Sequence, residues 1–196
     1  MANEIFKLRK EHLNFKKMLN LLERQLDLLH KGEEPNYQIM ADILCYMTEY
    51  SDVSHHPREE TIFSLLAERD SATKIDVAEI TRQHHAIGEA GFNFHKKLEN
   101  IINGESEIIR LEEIETPGRI YVTILRAHME KEEQSLFVMA EKLFNDDDWK
   151  KVKTDMQISI SDPIFGKDVE ERFSFLCNQL LQIDSDNKKN LSPSSS

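Results

Sequence analysis

The sequence is short of several things that would fix its class at once. It has only two cysteines, Cys45 and Cys177, in no CxxC pair. That gives no disulfide framework, and reduced thiols without an assigned role are expected. Six glycines and five prolines in 196 residues, with no alternating β-branched runs, argue against sheets and for an all-α chain. No apolar run approaches the roughly 20 residues of a membrane span, and the start, MANEIFKLRKEH, lacks the apolar core of a signal peptide. A cytoplasmic protein without a membrane partner is expected. Basic residues are outnumbered, 25 Lys and Arg against 36 Asp and Glu, for a formal charge of −11. Nucleic acid and anionic membranes, which demand a basic surface, are therefore excluded as partners.

What the chain has in abundance is helical apolar periodicity. Asn3 can cap a first helix over about 4–30, with Ile5, Leu8, Phe15, Leu19, Leu22, Leu26 and Leu29 on one face and a stop near Gly32. A second period runs through Met40, Ile43, Leu44, Met47 and Tyr50 and resumes at Ile62, Leu65 and Leu66. It predicts one helix bent at Pro57, which has no N–H to donate. Ser71 or Thr73 can cap a third helix bearing Ile80, Ile87, Phe94, Leu98 and Ile101, ended by Asn103-Gly104. After SEIIRLEEIE, Thr116-Pro117 reads as an N-cap with proline at the first helical position, opening a fourth helix through Ile124, Leu125, Leu136, Met139 and Leu143. Four long helices with short links predict an up-down-up-down four-helix bundle over 1–146. Residues 147–183 predict a helical extension packing on the bundle. It comprises a short helix in NDDDWKKVKTDM, a turn at DPIFG, and a last helix with Val169, Phe173, Leu176 and Leu180 on one side. From Asp184 to Ser196 there is almost nothing to bury, and disorder is predicted.

The stretch HHPREETIF, 55–63, offers two His-x-x-x-Glu pairs, and an α-helix can turn only one of them inward. At about 100° per residue, His55 lies about 50° and Glu59 about 90° from the apolar direction, while His56 and Glu60 lie about 150° or more away. Arg58 falls almost centrally on the same wheel. In the fourth helix His128 and Glu132 lie within about 30° of the stripe and Glu133 about 110° from it. His84, about 50° off, and His12, about 55° off, also point in, whereas His85 points out. For any one of these histidines a hydrogen bond in the core is sufficient explanation. Four histidines and two carboxylates on four interior faces are not explained that way, because an unpaired buried carboxylate is costly. Metal coordination uses both residue types, and bundle cores are where such sets hold dinuclear centres.

Taken with their surroundings, KEHLNF, HHPREETIF, RQHHAIG and AHMEKEEQSLF, these residues resemble the hemerythrin-like family, the HHE cation-binding domain, over about residues 1–146. The resemblance implies a non-heme diiron centre with an oxo or hydroxo bridge. His12 and His55 would sit on one ion, His84 and His128 on the other, with Glu59 and Glu132 bridging. Manganese or zinc suits the same nitrogen and oxygen donors. The family's oxygen carriers have a further histidine one turn after the third-helix ligand, where this chain has Gly88. His95 and Glu89 are candidate substitutes, although Glu89 points away on the wheel. The implied function is binding or sensing of O2, NO or redox state. The alternatives are an enzyme acting in nitric oxide or peroxide reduction or iron-centre repair, and a site that merely ties four helices together. No separate acid, base or nucleophile motif stands out.

Overall fold

In the computed structural model, residues 3–105, 110–156 and 161–191 are described, with the backbone alone described at residue 3 and at 184–191. The described residues are helical and turn, without strands. Helix α1 (Asn3–His30) buries Ile5, Leu8, Phe15, Leu19, Leu22 and Leu26. It closes at Gly32, whose φ of +76° a side chain would disfavour, with Glu33 N donating to Leu28 O at 2.9 Å. The predicted cap by the Asn3 side chain lies outside the described residues, as do residues 106–109 of the SEIIRLEEIE segment. Asn36 caps α2 (Tyr37–Tyr46), accepting from Ile39 N at 3.0 Å.

Between α2 and α3 (His56–Arg69) the chain winds as a π-helix over Met47–His55. The predicted bend at Pro57 is thus replaced by a widened stretch that ends just before the proline. A π-turn carries one extra residue and relieves the clash between a proline ring and the carbonyl four residues back. A second π-turn, Glu132–Leu136, separates α5 (Leu111–Lys131) from α6 (Phe137–Leu143). It shifts the register of α6: Phe137 and Ala140 are buried, and Leu143, predicted to face inward, is 47% exposed.

Helix α4 (Lys74–Ile102) follows a single 3₁₀ turn, Ser71–Thr73. Asp70, rather than the predicted Ser71 or Thr73, supplies the capping oxygen there, accepting from Ala72 N at 2.9 Å. Nor does α5 open at Thr116-Pro117; it begins at Leu111 and carries Pro117 inside. Beside that proline, Gly118 lets α1 approach: a Cβ there would come 2.7 Å from Leu26 Cδ2.

The helical stretches α1, α2–α3, α4 and α5–α6 pack in a closed circuit, α1 on α2, α2 on α4, α4 on α5 and α5 on α1. One core cluster joins Ile5 and Leu8 of α1, Ile62, Phe63 and Leu66 of α3, Ile80 of α4, and Phe137 of α6. Trp149 and Val152 complete it from α7 (Asp146–Asp155), which is opened by a capping box between Asn145 and Asp148. The chain divides into two compact units, Met1–Ile160 and Ser161–Ser196, so α7 belongs with the bundle. In the second unit Asp162 accepts from Ile164 N and Phe165 N in a tight turn, before α8 (Ser174–Leu191). Phe173, Leu176 and Leu180 are buried, but Val169 is 41% exposed, lying ahead of the helix that was to aim it. Helix α8 also runs past Asp184 to Leu191, where disorder was predicted, since extending a formed helix adds one hydrogen bond per residue. Residues 192–196 lie outside the described residues.

Candidate metal centre

Each long stretch delivers a buried histidine on the expected face of the bundle interior: His12 from α1, His55 from the end of the π-helix, His84 from α4 and His128 from α5. Glu59, one turn after His55, and Glu132, one turn after His128, are both fully buried. The imidazoles share one orientation. Nδ1 of His12 donates to Glu133 Oε1 at 2.9 Å, that of His55 to Glu11 Oε2 at 2.7 Å, that of His84 to Glu60 Oε1 at 3.1 Å and that of His128 to Gln83 Oε1 at 3.0 Å. With Nδ1–H engaged outward, every Nε2 faces the interior. Such outer hydrogen bonds fix the tautomer of metal-binding imidazoles.

The two carboxylates span the space between the imidazoles. Glu59 Oε1 lies 3.2 Å from His12 Nε2 and 3.0 Å from His55 Nε2, while its Oε2 lies 3.5 Å from His84 Nε2. Glu132 Oε1 lies 3.2 Å from both His84 Nε2 and His128 Nε2, and its Oε2 lies 3.6 Å from His12 Nε2. Each carboxylate thus turns one oxygen to the His12 side and one to the His84 side.

Among the described residues, the buried side-chain atoms without a hydrogen-bond partner are Glu59 Oε1 and Oε2, His128 Nε2 and Glu132 Oε2. All four belong to this one place. Buried polar atoms are ordinarily satisfied, so their concentration here asks for another partner. A cation meets the requirement. Two donors about 2.1 Å from one ion and separated by about 90–110° lie about 3.0–3.4 Å apart, close to the spacings found, including 3.1 Å between His12 Nε2 and His55 Nε2. Two groups of side chains could hold a metal: His12, His55 and Glu59, and His56, Glu59, His84 and His128, with donor atoms within 4.8 Å of one another in each.

His56 corrects the helical wheel, which turned it outward. It is 6% exposed, with its ring stacked on His84 at 4.1 Å. The extra residue in the π-helix brings both His55 and His56 inward, a rotation that no residue type in 47–55 announces. The wheel's central Arg58 bonds to Glu11 and, at 2.9 Å, to Ser54 O, so it braces the support of His55. Glu133 is likewise half-buried between His12 and Lys16. Glu60 backs His84 from a more exposed position. Neither His95, which is 3.9 Å from Glu99, nor the exposed Glu89 enters the two groups.

The electrostatics follow from this packing. Burial alone would push Glu59 up, but His55 and His12 beside it hold its carboxyl well below the usual range. Burial would lower His12 and His84, yet the facing glutamates raise them to about 9 and about 10. Glu133, bonded by His12 and Lys16, is held at about 2. Burial, helped by the neighbouring His84, keeps His56 well below its usual value, and burial lifts Asp52 to about 6.

Fold and site together define a helical bundle with a histidine and carboxylate interior that could hold metal ions. The chain belongs to the hemerythrin family: the family model described as Hemerythrin HHE cation binding domain matches residues 3–140. No curated protein and no solved structure matches it.

Proposed function

We propose that this chain is a non-heme diiron protein that binds or senses O2, NO or redox state at a carboxylate-bridged centre. The observation that supports it best is the placement of Glu59 and Glu132, each buried and each offering one oxygen to either histidine pair. His12 and His55 would hold one ion, His84 and His128 the other, with manganese or zinc as possible replacements for iron. When bound, an iron pair supplies a reducing centre that can take a small diatomic ligand. In this reading the four helical stretches run up-down-up-down, and the protein works in the cytoplasm.

The chain's own residues divide the remaining tasks. Glu133, Glu11, Glu60 and Gln83 hold the Nδ1 protons and so fix the four rings. Phe137 stacks on His12 at 5.6 Å and Phe15 meets His55 edge-on at 4.8 Å, excluding water from that side. His84 and His128 instead adjoin cavities of about 330 and 370 Å³. The first has the ionisable Asp52, Glu60 and His85 in a mixed wall, and the second is lined mainly by Ala86, Ile87, Ile124 and Ala127. A small apolar gas suits the second. The ionisable wall of the first favours the other reading, an enzyme in nitric oxide or peroxide reduction or iron-centre repair, because it places proton-carrying groups beside His84.

Anaerobic loading with iron tests the proposal and should give about two irons per chain. One metal or none by elemental analysis would sink it. Exposure to O2 or NO then separates the readings. A spectrum that reverses on degassing indicates binding, oxidation without a persistent new spectrum indicates sensing, and sustained consumption of NO or peroxide indicates an enzyme.

A further inference from the structure

His56 has the marks of a metal-binding imidazole, although it is not among the six residues proposed to hold the iron pair. Its Nδ1 lies 3.0 Å from Asp52 Oδ1, the same imidazole-to-carboxylate pairing that orients His12, His55 and His84. With the Nδ1 proton turned to that carboxylate, Nε2 carries the lone pair, and at 3.1 Å it accepts from the Ser51 hydroxyl. A donor atom of His56 lies within 4.8 Å of those of Glu59, His84 and His128.

The surroundings keep the ring there. His56 stacks on His84 with planes only 12° apart. Its partner Asp52 leans into space that exists because residue 88 has no side chain, since a Cβ on Gly88 would come 2.8 Å from Asp52 Oδ2. Ser51, Asp52 and His55 all come from the π-helix, and His56 follows it directly. Without the extra residue wound into that stretch, His56 would not share the interior with His55.

We propose that His56 is a fifth imidazole ligand, serving the His84–His128 ion, and that Ser51 is the hydroxyl that occupies its Nε2 until the ion takes it. This rests on the diiron reading and adds to it an exchangeable position. With Ser51 holding Nε2, the ion keeps a coordination position for an outside ligand; with Nε2 on the ion, that position is closed. The lone pair moves from a hydroxyl proton to the cation, and no bond within the protein is made or broken. Beside the two shared carboxylates, one ion would then have two fixed imidazoles, the other two fixed imidazoles and one that can be displaced.

Cobalt(II) is a suitable probe, because its visible ligand-field spectrum reports coordination number and its content can be counted. The wild-type full chain should take two ions. His56→Gln should keep the first ion unchanged, weaken the second by at least about tenfold in chelator competition, and shift the ligand-field bands of that ion alone. Ser51→Ala should tighten the second ion, because the competing hydroxyl is gone, whereas a purely structural hydroxyl would give no gain. If wild type holds two ions and His56→Gln matches it in affinity and spectrum, the fifth-ligand proposal is overturned while the diiron reading stands. A wild-type chain that takes one ion or none overturns both. If His56→Gln does not fold, Ser51→Ala decides alone: a tighter second ion supports the proposal, and an unchanged or weaker one overturns it.

Discussion

The two halves of the centre are built from the same parts and braced differently. Around His12 and His55, each supporting carboxylate is gripped by a cation, Glu133 by Lys16 and Glu11 by Arg58, and a phenylalanine ring packs on each imidazole. Around His84 and His128 the supports are Glu60, whose side chain is 40% exposed, and the neutral Gln83, and a cavity adjoins each histidine. A clamped, dry half suits an ion that stays put. A loosely braced half with space beside it suits the ion that meets an outside ligand. Nearly symmetric motifs are thus held by unequal surroundings, charged braces on one side and a half-exposed carboxylate and a neutral amide on the other.

The largest expected effect erases the comparison. Glu59 and Glu132 each turn one oxygen toward either half, so under the proposed reading Glu132→Ala should strip metal from both, leaving well under one ion per chain by elemental analysis. Glu133→Ala, which removes only the brace on His12, should cost far less. Equal losses in the two variants would contradict the assignment of Glu132 as the shared carboxylate.

The next effect sharpens the comparison. Glu11→Gln should weaken the His55 ion about 10–100-fold, as loss of an outer partner typically does. Gln83→Ala should weaken only the His128 ion, and by less, because the bond lost is between neutral groups. Chelator competition that resolves two affinities checks both.

In the metal-free protein, pH should act on both halves. His12 and His84, raised to about 9 and about 10, contribute stability that is fully present below about 6.5 and lost as pH rises through 9 to 10. Glu133, held at about 2, contributes stability present above about 4.5 and lost as pH falls toward 2. Thermal melts of metal-free protein should therefore fall from pH 6.5 to 10, while metal-loaded protein, in which ions replace those protons, should show a flatter profile. A metal-free melting temperature that climbs over that window would contradict the charge assignment. The smallest expected effect is Ala127→Leu, which fills space in the cavity beside His128. It should slow reaction with O2 or NO severalfold in stopped-flow measurements, without changing metal content.

How much of this was legible in the sequence depended on helical regularity. Where α1, α4 and α5 wind as ordinary α-helices, the apolar stripes locate His12, His84 and His128 on the interior side, and the structure buries them. Where the chain departs from that period, the wheel misleads. His56 was turned outward because the π-helix over Met47–His55 carries an extra residue, and Leu143 was turned inward because a second π-turn precedes it. A wide turn is set by backbone packing and by the neighbouring proline, and leaves little trace in residue type. Pro117 failed as a helix start for a related reason, because residues before it already continue the same helix. The braces were hidden for another reason. Glu11, Glu133 and Gln83 reach their histidines across helices, and single-helix periodicity carries no such information.

In the proposed reading Glu59 and Glu132 hold two ions side by side. X-ray absorption on the iron-loaded full chain tests it most directly. The spectrum should show nitrogen and oxygen ligands only and an iron–iron distance of about 3.5–4 Å, in the range of two-metal sites. Sulfur ligation, or an iron spectrum with no second iron within that distance, would contradict it.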